Sequence, residues 1–470
     1  MVRNERAVWS WAGLMARLSG KDNSAVQNLS PIENDTSREH SFVDIHPDIG
    51  VDKKWHIIGG SMSYLQTHPW LSFTLDLRQF NHSLWMLLGE ARSKCAHLSS
   101  VPMRPEIADR LHRVYLAKGI HATTAIEGNT LSEKQVLEII ENKKDEKKSE
   151  RYLRTEIDNV LHSANKILES VEKYGFKPIT ATEIKSYNKQ ILENLDTDEH
   201  VTPGEFSPVQ VGVPRYKGAA PSDFATLVTK LCDWLNSDFA FEDEELAVPF
   251  GLIKAIVSHV YLVWIHPFGD GNGRTARMLE VRFLLEANVP SVAAHLLSNH
   301  YNRTRDEYYR QLDRASKNGG NLVPFIEYAI QGFIDQMRDQ IKVIKQQLWD
   351  ISWINYVYDK FGEDKTPSDR RQLKLILALG NKSEHIERPK LRLLTPEIAA
   401  EYAVKTSKTL SRDIGKLKSL GLISETKEGV RAKKEILLAF LPRSKPGNAE
   451  RQLEEALKMK STADQLTFEF

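Results

Sequence analysis

Between residues 266 and 277 the chain reads His-Pro-Phe-Gly-Asp-Gly-Asn-Gly-Arg-Thr-Ala-Arg, and most of its usable chemistry sits there. His266 is a candidate general base, a side chain that takes and returns protons near neutral pH. Asp270 is the only carboxylate of the loop; beside phosphates, a single carboxylate is a typical Mg2+ anchor, with phosphate oxygens and waters filling the shell. Gly269, Gly271 and Gly273 give a backbone that can turn successive N–H groups into one concavity. Arg274 and Arg277, three residues apart, fall on neighbouring positions of one helix face and can both reach an anion held there. Together these residues describe a polyphosphate site with a base beside it, and Phe268 reads as the apolar pin that fixes the loop to the core.

Two helices must position this loop. Ala247 to Ile265 is mostly apolar but interrupted by Pro, Lys, Ser and His, so it reads as a buried helix and not as a membrane span. Pro267 disfavours helical backbone in the residue before it, which puts the helix end at about His266, where the helix dipole favours an imidazolium. A second helix begins at about Gly273, its unpaired amides facing the concavity. Other readings fail on context. Gly271 to Ala276 spells a dinucleotide GxGxxA but follows a helix and not a strand. The chain has no GxxxxGK[ST], and a calcium loop starting at Asp270 would need an oxygen ligand at Arg274 and glycine at Thr275.

The stretch resembles the Fic-domain motif, HxFx(D/E)GNGRxxR, at every specified position. The resemblance implies transfer of AMP from ATP to a Tyr, Ser or Thr hydroxyl of a target protein, or of the protein itself. It makes His266 the base, Asp270 the Mg2+ ligand, the loop amides of Gly271 and Gly273 with Asn272 and Arg274 the cradle of the α- and β-phosphates, and Arg277 the receiver of the γ-phosphate. Upstream, Thr123-Thr-Ala-Ile-Glu127-Gly128 is similar to that family's inhibitory helix, [S/T]xxxE[G/N]. Gly128 or Asn129 is a natural left-handed helix cap, leaving Glu127 in the last turn, where a carboxylate opposes the dipole unless a cation compensates it. The resemblance supplies Arg277 as that cation, so that Glu127 blocks productive ATP binding. The alternatives are removal of AMP or transfer of another phosphate-containing group at the same site, or a nucleotide-responsive DNA-binding regulator.

Between the two motifs, Val209, Val211 and Val213 alternate with Gln210 and Gly212, and prolines and glycines bracket a turn. This resembles the family's flap, a β-hairpin at about residues 207–218; the same signals suit an ordered surface loop, and Phe206 stands where relatives often carry arginine. Residues 298–312 resemble the segment that helps enclose the nucleotide, with Tyr308 and Tyr309 equally suited to a core. Helical periodicity begins at Leu71 and continues through 105–142 and 151–176, with the charge run 143–151 as a solvated turn.

The chain's 470 residues suggest roughly three domains, and the net charge of +1 gives no overall pull towards nucleic acid or membrane. Two cysteines, Cys95 and Cys232, fit small core residues in a reducing cytosol, hence a cytoplasmic protein without membrane contact. The apolar run near the N-terminus is short, carries two tryptophans and lacks a clean cleavage site.

Near the other end, Thr395 and Pro396 begin a capped helix, Leu410, Ile414, Leu417 and Leu420 mark a second, and a Lys/Glu-rich hairpin follows. That order reads as a winged helix-turn-helix whose second helix is basic through Lys405, Lys408, Arg412, Lys416 and Lys418, suited to DNA or to a protein partner. The expected fold is mainly α: a Fic-type helical core with a β-hairpin flap, plus a C-terminal winged helix-turn-helix. Its segments are 1–60, partly disordered; 61–200, helical with the inhibitory motif 123–128; 201–345, the catalytic core; 346–390, a helical linker; 391–442, the winged helix; and 443–470, a polar tail. A homodimer is usual in the family.

Overall fold

The computed structural model describes residues 63–141, 150–175, 177–213, 216–239, 243–363, 365–382 and 384–437. The expected N-terminal segment 1–60, most of the charge run 143–151, Pro214 and Arg215 of the hairpin, and the tail 443–470 lie outside the described residues. The chain divides into two compact units between Ile334 and Asp335. Among the described residues it is mainly helical, with two two-stranded antiparallel sheets.

In the first unit, α1 (His82–Ser100), α2 (Pro105–Ala125), α3 (Glu133–Ile140), α4 (Arg151–Tyr174) and α5 (Ala181–Ile191) precede a short hairpin of β1 (Gly212–Val213) and β2 (Tyr216–Lys217). After it come α6 (Phe224–Ser237), α7 (Ala247–Ile265), α8 (Asn272–Glu286), α9 (Leu296–Arg303), α10 (Arg305–Lys317) and the start of α11 (Val323–Phe361). α7 is apolar on every side, so it can be satisfied only at the centre of a core. By length and composition the stretch Glu244–Ile265 could cross a membrane, but 83% of its most apolar window is buried within the unit. Cys95 and Cys232 are likewise buried and free.

α8 packs directly on α7. Gly251 makes the approach close, since a Cβ there would lie 2.1 Å from that of Ala287.

The helical stretch 105–142 is divided in two at the glycine read as a cap. α2 stops at Ala125, Gly128 takes φ +106°, and Ser132 with Gln135 forms a capping box that starts α3 afresh. The long helix of the stretch from Leu71 starts only at His82, where Asn81 caps α1 by accepting from the Leu84 amide at 2.8 Å. The alternating valines form less strand than their pattern suggests, because Ser207 Oγ bonds the Val209 amide and carbonyl and bends the chain there.

The second unit holds the rest of α11, then α12 (Pro367–Gly380), α13 (Pro396–Ala403), α14 (Ser407–Ser419), β3 (Ile423–Thr426) and β4 (Gly429–Ala432). Trp353, Leu375, Ile376, Tyr402, Ile414 and Val430 meet in one core. Asp413 is buried within it and accepts from Arg371, Gln372 and Tyr402, which joins α12, α13 and α14. The expected linker 346–390 is therefore corrected: α12 is a core helix whose apolar residues 373, 375, 376 and 379 face inwards, and Ile386 bridges Val430 beside the hairpin. α11 starts at Val323 and runs to Phe361.

Ala is ordinarily better than Gly inside a helix by about 1 kcal/mol, so Gly251→Ala tests the α7–α8 contact by sign. We expect a loss of about 1–3 kcal/mol from overpacking, read as a lower midpoint in urea unfolding; a gain would mean that the helices separate freely.

Candidate active site

α7 ends in a non-glycine residue with left-handed backbone, His266 at φ +53° and ψ +55°. Such a conformation costs roughly 1–2 kcal/mol and turns the chain sharply out of the helix. The neighbouring chain braces it. Tyr216 donates to the Trp264 carbonyl at 2.7 Å, Ala219 to that of Ile265 at 3.1 Å and Ser207 to that of Pro267 at 2.8 Å. These bonds tie the β1–β2 hairpin and its flanks to the His266 loop. His266 Nδ1 lies 3.1 Å from the Val263 carbonyl, which can only accept, so the proton of the neutral ring sits on Nδ1 and Nε2 keeps its lone pair.

The loop is stitched from both sides. Phe268 is fully buried against Phe206, with ring centroids 5.6 Å apart. Asn272 closes the turn by accepting from the Phe268 amide at 2.9 Å and donating to its carbonyl at 2.7 Å. The Asn272 side chain is thus committed to the loop, and its backbone amide lies in the first turn of the helix that follows. Asn188 of α5 donates to the Asp270 carbonyl at 2.9 Å and accepts from Gly204 at 2.9 Å. Gly271 takes φ +77° against that asparagine. α8 then begins at Asn272, and the amides of Asn272, Gly273 and Arg274 have no carbonyl within the helix to bind.

Both arginines are buried and both are held by acids. Arg277 donates to Glu127 at 2.5 Å and to the Thr123 carbonyl at 3.0 Å. Its side chain is 1% exposed and that of Glu127 32%. Glu127 stands in the turn just beyond α2, not in its last helical turn, and Arg305 of α10 secures that turn by donating to the Ile126 carbonyl at 2.6 Å. Arg274 sits between Glu156, at 2.6 Å, and Asp270, at 3.0 Å.

Burial works against the charge of Glu127, but Arg277 outweighs it and, with Arg274 and His266, holds the carboxyl below its ordinary range. Burial lowers the pKa of His266 from its usual 6.5, against the Val263 carbonyl, Glu127 and Asp270. This reverses the expectation from the helix dipole: desolvation of the ring exceeds the pull of the helix end. Behind Arg277 lies a polar cluster, with His259 2.8 Å from the Tyr308 hydroxyl and Tyr301 donating to Glu280 at 3.0 Å. Burial drives His259 well down and Glu280 well up, so both tend to neutrality. Of the two tyrosines left open by sequence, Tyr308 is core and Tyr309 is exposed.

The structure therefore brings His266, Asp270, Gly271, Asn272, Gly273, Arg274, Arg277 and Glu127 to one place. Sequence reasoning missed Glu156 and Asn188. Glu156 had a signal: it falls on the apolar stripe of α4 with Ile157, Val160 and Ile167, where a carboxylate is out of character. Among the described residues, no group of three or more His, Cys, Asp or Glu side chains is placed to hold a metal by itself.

A Cβ on Gly273 would lie 2.2 Å from Glu127 Oε1, so Gly273→Ala should displace that carboxylate without altering it. We expect Gly273→Ala to destabilise the protein less in a Glu127→Gly background, with a coupling of about 0.5–3 kcal/mol in a denaturation cycle. Because the pKa of Glu127 is depressed in the folded protein, the coupling should be complete above its ordinary value of 4.5 and fade as pH falls through the depressed value. Strict additivity at pH 7 would mean that the two residues do not compete for space.

Residues 178–284 match the Fic/DOC family. The chain is 30% identical over 259 residues to protein adenylyltransferase fic-1 of Caenorhabditis briggsae, covering 53% of this chain and 46% of that protein. It is 29% identical over 254 residues to protein adenylyltransferase Fic of Nematostella vectensis, covering 54% of each. It thus spans about half the length of these relatives. Among solved structures, a Fic family protein from Desulfovibrio desulfuricans G20 aligns with a TM-score of 0.48 at 18% identity, over 76% of this chain and 97% of that one. The matched segment, 178–284, holds the histidine, the glycine loop and both arginines.

Proposed function

We propose that this protein is an adenylyltransferase that moves AMP from ATP to a protein hydroxyl and is held low by its own Glu127. The observation that carries the reading is a single juxtaposition. A neutral imidazole with its Nε2 lone pair available stands at one end of a loop whose other end is a helix start carrying two buried arginines. An acceptor O–H attacks the α-phosphorus, its proton passes to His266 Nε2, and the bond from the α-phosphorus to the bridging oxygen breaks to release pyrophosphate. Loop amides and Arg274 offset charge on the α- and β-phosphates, and Arg277 takes the γ-phosphate once Glu127 has left it. With Glu127 in place, that anion position is already filled.

Asp270 fits a divalent cation as one anchor of several. It is half exposed and accepts from Arg274, and among the described residues no second acid completes a cage, so nucleotide phosphates and water would supply the other ligands. Bound there, Mg2+ would neutralise phosphate charge. We read the β1–β2 hairpin, bonded to the chain on either side of His266, as a flap against which an extended target segment can lie.

The second unit we read as a winged helix-turn-helix, formed by α12, α13, α14 and the β3–β4 wing. Lys408, Arg412 and Lys416 are exposed along α14 while Leu410, Ile414 and Leu417 face the core, a basic face suited to DNA phosphates. Binding to duplex DNA that weakens steeply with salt would support this; binding to protein alone would assign the face to a partner.

The central test incubates wild type, Glu127→Gly and His266→Ala with Mg2+ and ATP labelled on the α- or the γ-phosphate. Label transferred to protein from the α-phosphate only, strongest in Glu127→Gly and absent in His266→Ala, is the expected result. Label from the γ-phosphate would mean kinase-like chemistry, and release of AMP from a modified protein without transfer would mean the reverse reaction. The rate should also lose its base below pH 6.5, since the lowered pKa of His266 keeps the ring neutral down to that point. An acid limb centred above 6.5 in the Glu127→Gly profile would remove His266 as the base.

A further inference from the structure

We propose that Glu156 is a positioning residue for Arg274, and that Asn129, in the same turn as Glu127, sets Glu156. The inference rests on the reading of Arg274 as a phosphate-binding group.

Glu156 lies on the buried stripe of α4, remote in sequence from the loop and from the inhibitory motif. A carboxylate in that position is unfavourable unless both oxygens are satisfied. They are satisfied by different partners. Oε1 accepts from Arg274 Nη1 at 2.6 Å, and Oε2 accepts from Asn129 Nδ2 at 2.7 Å. Asn129 is itself fixed, donating to the Leu153 carbonyl at 3.0 Å and accepting from the Leu131 amide at 3.0 Å. The other edge of the guanidinium, Nη2, meets both oxygens of Asp270 at 3.0 and 3.1 Å.

Arg274 is thus gripped on one edge by a buried acid and faces the loop with the other. An arriving phosphate need exchange only the exposed half-buried partner, Asp270, while Glu156 keeps the guanidinium plane in place. The turn 127–129 then touches both arginines of the motif: Glu127 meets Arg277 directly, and Asn129 reaches Arg274 through Glu156. A displacement of this turn that frees Arg277 must keep Asn129 on Glu156 if Arg274 is to stay oriented. Glu127 therefore has to leave by its side chain and not by withdrawal of the whole turn.

The test uses the full chain with Glu127→Gly as parent. Turnover is followed with α-labelled ATP and Mg-ATP binding by calorimetry, with Glu156→Gln, Asn129→Ala and the pair added. Glutamine keeps the shape of Glu156 and removes its charge. We expect Glu156→Gln to lower turnover about 10²-fold, the scale of a misplaced reacting group, while the dissociation constant for ATP changes less than about tenfold. Asn129→Ala should give a smaller fall of the same kind, and none when Glu156→Gln is already present. Glu156→Asp should recover part of the loss. Turnover and binding within about threefold of the parent for Glu156→Gln, or an undiminished Asn129→Ala effect in its presence, would overturn the proposal. If Glu156→Gln does not fold, Asn129→Ala decides: lower turnover with an unchanged melting temperature supports the relay, and unchanged turnover overturns it. Should the parent bind ATP without transferring AMP, the functional reading fails separately and binding alone judges the positioning role: for Glu156→Gln, a dissociation constant raised about three- to tenfold supports it, and one within about threefold of the parent overturns it.

Discussion

Arg277 needs an anion, and much of the site is arranged around supplying one. Its guanidinium is completely enclosed, a state that is costly for a charge without a close counter-ion. The acid one turn further along α8, Glu280, is driven towards its neutral form by burial, and His259 beyond it is neutral for the same reason. The wall behind the arginine therefore gives polarity but little charge, and Glu127 is the carboxylate that the structure places on the guanidinium. Several separate features serve that contact. Gly273 lacks the side chain that would strike Glu127, Thr123 lends its carbonyl, and Arg305 holds the turn.

This polar arrangement is affordable because α7 is so apolar. Each large side chain buried along it contributes roughly 1.5–3 kcal/mol, against a left-handed cost at His266 of roughly 1–2 kcal/mol. The strain is placed where it has a use. A helix that continued past Ile265 would carry the imidazole away from the loop, whereas the left-handed residue, followed by proline, turns the chain into it. The same burial then lowers the basicity of the ring, which leaves a base that stays unprotonated in neutral solution.

What could be read from sequence was whatever depends on neighbours in the chain. The end of α7 at His266, the start of α8, the Thr395 cap and the inward-facing Leu410, Ile414 and Leu417 all follow from local sterics and periodicity. The pairing of Glu127 with Arg277 needed the family resemblance, because 150 residues separate them. Glu156 and Asn188 escaped altogether, since their roles exist only when α4 and α5 pack against the loop. α12 was read as part of a linker for a related reason: its first turn is charged and its capping threonine and proline suit a connecting segment until Leu375 and Ile376 find the core. The break after α2 was legible in Gly128 as a left-handed cap, and the Ser132–Gln135 capping box that restarts the helix is equally local.

On the proposed function, the charge balance around the loop would set the order in which nucleotide and metal enter. Arg274 and Arg277 are two cations; Glu127, Glu156 and Asp270 are three carboxylates in contact with them. The cluster is thus net negative before any nucleotide arrives, and a polyphosphate would add several more charges to it. Withdrawing Glu127 removes one carboxylate and gives Arg277 to the incoming anion. Glu156 cannot be spared, because it is buried and its other oxygen is tied to Asn129. The remaining charge lies on Asp270, the most exposed of the three. A divalent cation carried in with the nucleotide would cover it and release Arg274 from it in the same event. On this account nucleotide and metal enter together, and the acid that must move is Glu127.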